Sequence, residues 1–212
     1  MEKYIFELPK EDKMFGWYQT ASTDEHRLCD KVYEFEELFS DMRFQPGSIT
    51  GDFVSVQSKA ENGNWEDDVI DLPEELEYLS PGCFTYLVKD LGGFDGEFNK
   101  AEYTLTVSPR ALEDDSVILH EMIHMYEFAV NSLPLYWHDA IIMCLYKDLK
   151  KKINDLDDRI ASQGHIFTSH RLAVYGGTHD ILFHLKSLDL DLRMGYPLGT
   201  VFGYGMAAEE KD

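Results

Sequence analysis

The feature that most limits what this chain can fold into is SVILHEMIHMYEF, residues 116–128. A His-Glu-x-x-His pattern stands there in an apolar run, with Val117, Ile118, Leu119, Met122, Ile123 and Phe128 around His120, Glu121 and His124. The apolar side chains predict a largely buried helix, and buried imidazoles need partners. Residues four apart share a helix face, so His120 and His124 can hold one ion at the usual Zn–N distance of ~2.0–2.1 Å. Glu121 falls about 100° further round, given ~3.6 residues per turn. That offset sets its carboxylate beside a metal's open position, where it can take a proton from an activated water. The competing reading is a pair of satisfied core histidines that bind nothing.

The flanks of the motif agree with a helix. ALEDDS supplies acidic residues and a serine suited to a helix start near residues 111–116, and Asn131-Ser132-Leu133-Pro134 stops it after about Val130. Upstream, CFTYLVKDL from residue 83 and AEYTLTVSP ending at Pro109 read as two strands, the second half-buried through alternating Tyr103, Leu105 and Val107. Paired with each other they make a small antiparallel sheet. A first helix is expected over roughly 23–43, a strand over 49–58, a turn at 61–65 and a short helix over 71–79. A long helix follows from Trp137 or His138 to about Ile160, and a last one, HDILFHLKSLDLDL, is capped by Thr178. The expected fold class is α+β, one domain over residues 1–212, with the sheet and further helices packed on the motif helix.

Charge narrows the partners. Against 19 basic side chains stand 40 acidic ones, a formal net charge of -21. Phosphate backbones are repelled by such a field, and the single basic run, Lys150 to Lys152, is closely followed by acidic residues, so nucleic acid is disfavoured as a partner. Cys29, Cys83 and Cys144 are odd in number and far apart, which suits reduced thiols rather than a disulfide framework. No run approaches the ~18 apolar residues of a membrane span and the N-terminus lacks a long apolar stretch, so cytoplasmic residence is the expectation.

A catalytic site needs a third protein ligand and an open position. Between Phe128 and Ala208 there is no glutamate, and Val130 stands where the extended H-E-x-x-H-x-x-G-x-x-H pattern requires histidine. Glu127 is seven residues beyond His120, roughly 10 Å along the axis at ~1.5 Å per residue, which suits a contact to a ligand better than ligation. His138, at the start of the next helix, is the leading candidate. Asp180 in GGTHDILFH is the competitor, although an acidic residue in a helix's first turn explains it as well. His165, His170, His179 and His184 could help stabilise an oxyanion, but each reads first as an ordinary surface or core histidine.

YTLTVSPRALEDDSVILHEMIHMYEFAVNSLPLYWHDAIIM resembles the SprT-like (Spartan-type) zinc metalloprotease domain, and LGGFDGEFNKAEYTLTVSP looks like that family's strand hairpin. The similar region covers roughly residues 91–155. The resemblance implies a zincin-like fold, zinc as cofactor, His120, His124 and His138 as its ligands, Glu121 as catalytic base, and a protein or peptide as substrate. Asp139 follows His138 where the family often has glycine, and the DNA-binding elements of many relatives have no counterpart here. The expected function is zinc-dependent peptide-bond hydrolysis; the alternatives are a zinc-binding but proteolytically silent interaction module and a hydrolase of another bond.

Overall fold

The structure, a computed structural model, describes residues 11–40, 55–59, 65–69, 84–130, 135–162, 166–168, 171–173 and 179–203. The expected strand segment 49–54, most of the turn at 61–65, the helix over 71–79, and Thr178 lie outside the described residues. The chain is mixed α+β. Three strands, β3 (Thr85–Val88), β4 (Gly96–Asn99) and β5 (Thr104–Val107), form the sheet that packs against the motif helix α4 (Asp115–Val130). Two separate antiparallel ribbons pair β1 (Ser55–Lys59) with β2 (Trp65–Val69), and β6 (Ile166–Thr168) with β7 (Arg171–Ala173).

The central sheet corrects the sequence expectation of an antiparallel one. β3 runs parallel to β5, with Thr85 opposite Thr104 and Val88 opposite Val107. The antiparallel partner of β5 is β4, with Gly96 opposite Val107 and Asn99 opposite Thr104. GEFN carries no apolar alternation, yet the hairpin turn next to it is locally specified. Asn99 Oδ1 accepts from the amides of Ala101 (3.0 Å) and Glu102 (3.3 Å), and Tyr103 adopts a left-handed φ of 55°. That hairpin takes one edge of β5 and leaves β3 the other. β5 is consequently central, and Thr104 and Thr106 are buried along with Leu105 and Val107 rather than facing water.

Against β3 packs α2 (Thr23–Phe35), which also touches α4, and before it stands α1 (Glu11–Thr20), which the sequence did not lead one to expect. Ser22 caps α2 through a capping box with Glu25, and Leu28, Cys29, Val32 and Phe35 supply its buried face. The expected helix over 23–43 ends sooner, and a short α3 (Glu37–Ser40) follows it. Trp17 donates its indole N–H to the Tyr86 carbonyl (2.9 Å), and Lys31 reaches Asp115 at the start of α4 (2.6 Å), so α1 and α2 are fixed to the sheet and the motif helix.

The long helix expected to run to Ile160 is two: α5 (Leu135–Lys150) and α6 (Leu156–Ser162). Charge explains the division. Lys147 and Lys150 occupy the last turn of α5 and Asp157 and Asp158 the first turn of α6, each sign at the end its helix dipole favours. Asp157 accepts from both Lys150 (2.6 Å) and Tyr146 (2.7 Å) and so clasps the two helices together. α7 (Ile181–Met194) packs against α4 and α5 and is buried over most of its length. Inside it, Lys186 pairs with Asp189 (2.7 Å) and donates to the Leu38 carbonyl (2.9 Å), which fixes the α3 segment to α7.

Leu149, on α5, is 1% exposed. Leu149→Ala is expected to cost about 2–5 kcal/mol of unfolding free energy by chemical denaturation, through lost burial and a cavity.

Candidate metal centre

α4 is enclosed on nearly every side: Val117 to Ile123, Met125 and Tyr126 are all buried, Glu121 and His120 among them. His120 and His124 project from one face, with ring centroids 5.2 Å apart. A third histidine meets them. His179 precedes α7, its ring 4.9 Å from His120 and stacked on His124 at 5.2 Å. The ligand atoms of His120, His124 and His179 all lie within 4.8 Å of one another, a group able to hold a metal ion. Tetrahedral coordination at ~2.0–2.1 Å sets donors about 3.3 Å apart, so a closure on the order of an ångström completes the site.

The tautomers of two rings follow from their partners. His120 Nδ1 meets the Val201 carbonyl oxygen at 2.9 Å, and His124 Nδ1 meets Glu127 Oε2 at 2.8 Å. A carbonyl and a carboxylate only accept, so Nδ1 carries the proton in both rings. In the neutral imidazole this makes Nε2 the lone-pair nitrogen, the arrangement by which metal-binding histidines are oriented and made more basic. Glu127 thus takes the ligand-contacting role that its spacing suggested.

The surroundings are aromatic. Phe183 packs against all three rings, at centroid distances of 4.1 Å from His179, 4.6 Å from His120 and 4.7 Å from His124, and Phe202 lies 5.4 Å from His179. Burial in this setting pushes His120 down to about 3, against the pull of the Val201 hydrogen bond and helped by the neighbouring imidazoles. Burial, then His124, takes His179 down to about 4, and burial lowers His124 despite the nearby carboxylates of Glu121 and Asp180. All three rings are therefore neutral, and so able to ligate, near neutral pH.

Glu121 is placed by an unusual contact. A Cβ built on Gly96 would stand 2.7 Å from both Cγ and Oε1 of Glu121, so only glycine lets β4 approach the carboxylate this closely. Glu121 and the first residue of strand β4 are in direct contact.

Of the residues expected from sequence, His120, Glu121 and His124 are brought together. His138 lies on α5, and its side chain is outside the described residues. Asp180 is the N-cap of α7, its carboxylate accepting from the Phe183 amide at 3.0 Å. Among the described residues the third histidine of the cluster is His179, which the sequence reading passed over. Its only local signal was its place in THD, immediately before a helix apolar enough to be buried. No family model matches the chain, and neither a curated protein nor a solved structure matches it. No helix among the described residues is long and apolar enough to cross a membrane.

Two outcomes follow. Elemental analysis after zinc addition is expected to show His179→Ala losing the metal while His138→Ala keeps it. In the metal-free chain, histidines with an unfolded value near 6.5 and a depressed folded value leave the unfolded state binding more protons below pH 6.5. Their contribution is complete above that pH and is lost as pH falls toward about 4 and then about 3. The denaturation midpoint should drop over this window, and more shallowly in a His120→Gln/His179→Gln double variant; equal slopes would contradict the assignment.

Proposed function

We propose that the chain is a zinc-dependent metallopeptidase of the SprT-like type, with His120, His124 and His179 as the ligands and Glu121 as the catalytic base. The observation that carries this reading is the donor set itself. Three neutral imidazoles, two with Nδ1–H bound to an acceptor, and a buried carboxylate one residue along from a ligand are what water activation requires. The borderline-soft, all-nitrogen set suits zinc. A bound zinc ion supplies Lewis acidity, making water nucleophilic near neutral pH and polarising the carbonyl it attacks.

Each step of the proton path belongs to this chain. Glu121 accepts the proton of the attacking water and returns it to the departing amine nitrogen, so one carboxyl serves as base and then as acid. Gly96 limits where that carboxylate can lie, and Glu127 and Val201 hold the imidazoles in register. A peptide substrate is favoured by the position of β4. Among the described residues it is the outer strand of the order β3-β5-β4, and its first residue touches Glu121. An extended chain added along that edge would hydrogen-bond to β4 backbone and pass the carboxylate.

Glu121→Gln keeps the shape and removes the base. Peptidase activity on a broad panel of unstructured peptides should fall by about 10²–10⁴-fold, with bound zinc unchanged. Full activity in the variant would remove Glu121 from the chemistry, and an inactive unaltered protein that still binds zinc would favour an interaction module.

A further inference from the structure

His120 is held through a backbone carbonyl, and that carbonyl belongs to a loop with its own anchor. Asp191, on the penultimate turn of α7, is fully buried. One carboxylate oxygen accepts from the Val201 amide (2.9 Å) and the other from the Gly199 amide (2.6 Å). Val201 is therefore gripped at both ends: its N–H donates to Asp191 and its carbonyl accepts from His120 Nδ1. The helix end is braced as well, since Gly195 closes α7 in a left-handed turn and the Tyr196 amide returns to the Asp191 carbonyl (2.8 Å).

The geometry points to Asp191 as a positioning residue for the metal centre: through Val201 it fixes the ring plane and the Nδ1–H tautomer of His120 from 71 residues away in sequence. The chemistry favours an acid at this place. Two convergent N–H donors need two acceptor oxygens, which a carboxylate has and an amide lacks. Burial raises its pKa, and the backbone donors of Val201, Gly199 and Thr200 counter that only in part, by favouring the charged form. Charge on the carboxylate strengthens both loop hydrogen bonds. The consequence for metal affinity rests on the zinc-site reading; the consequence for the His120 proton does not.

The test uses the full chain, metal-free and then titrated with zinc alone. In ¹⁵N-labelled metal-free protein, His120 Nδ1–H should give an exchange-protected imidazole signal. Asp191→Asn turns an N–H₂ toward one of the two amides, and that signal should exchange at least about tenfold faster. Zinc affinity, read by competition with a chromophoric chelator, should weaken by about 10–100-fold with one ion still bound at saturation. Leu149→Ala, a core change away from the loop, is the control and should leave both readouts as they are. Gly199→Ala is the second probe: its φ of 101° disfavours a side chain although nothing lies within 4 Å of the added Cβ, so it disturbs the loop and spares the core. Unchanged exchange in both loop variants, or equal acceleration in Leu149→Ala, would overturn the proposal. Accelerated exchange in a chain that binds no zinc even when unaltered would uphold the positioning role and refute the metal centre instead.

Discussion

A helix enclosed on nearly all sides can carry two histidines and a glutamate only if each polar group is given somewhere to go. In α4 that requirement is met partly from outside the helix and partly from within it. The loop after α7 supplies a carbonyl for His120, and Glu127, from α4 itself, supplies a carboxylate for His124. The residue before α7 adds a third imidazole to the pair, and β4 brings a glycine close against Glu121. The packing of α7 and the sheet against α4 is thus what turns a sequence motif into a site, and the aromatic wall of Phe183 and Phe202 keeps the imidazoles neutral by keeping water away.

What the sequence made legible was what α4 itself determines. The helix bounds near 115 and 130, the shared face of His120 and His124, and the placing of Glu127 beside His124 rather than on a metal all follow from flanking residues, helical period and rise. The α+β character was also readable from alternating and apolar runs. The sheet's direction was not, because GEFN has too little apolar alternation to announce a strand, and adding one strand converts an antiparallel pair into a parallel one. The division of α5 from α6 was encoded, in lysines followed by aspartates, but apolar periodicity runs through the break and masks it.

The third histidine shows the limit most clearly. The sequence favours His138 because a loop through Pro134 could turn it back toward the motif, and its side chain lies outside the described residues. Among the described residues it is His179 that meets the two imidazoles, because α7 packs on α4 with its N-terminus there. Asp180, weighed as a ligand from the sequence, caps α7 by accepting from the Phe183 amide. Near its C-terminal end the same helix carries Asp191, which holds the loop that orients His120. One buried helix therefore serves two of the three imidazoles, one from each end, and its internal Lys186–Asp189 pair ties it to the segment after α2.

The central claim is that His120, His124 and His179 form one metal site. Anomalous diffraction at the zinc edge, from crystals of the full chain grown with zinc, measures it most directly. The account predicts a single strong peak at ~2.0–2.1 Å from Nε2 of both His120 and His124 and from one nitrogen of His179, with Glu121 beside the remaining position. A peak ligated by His138 in place of His179, or no peak between His120 and His124, would contradict it.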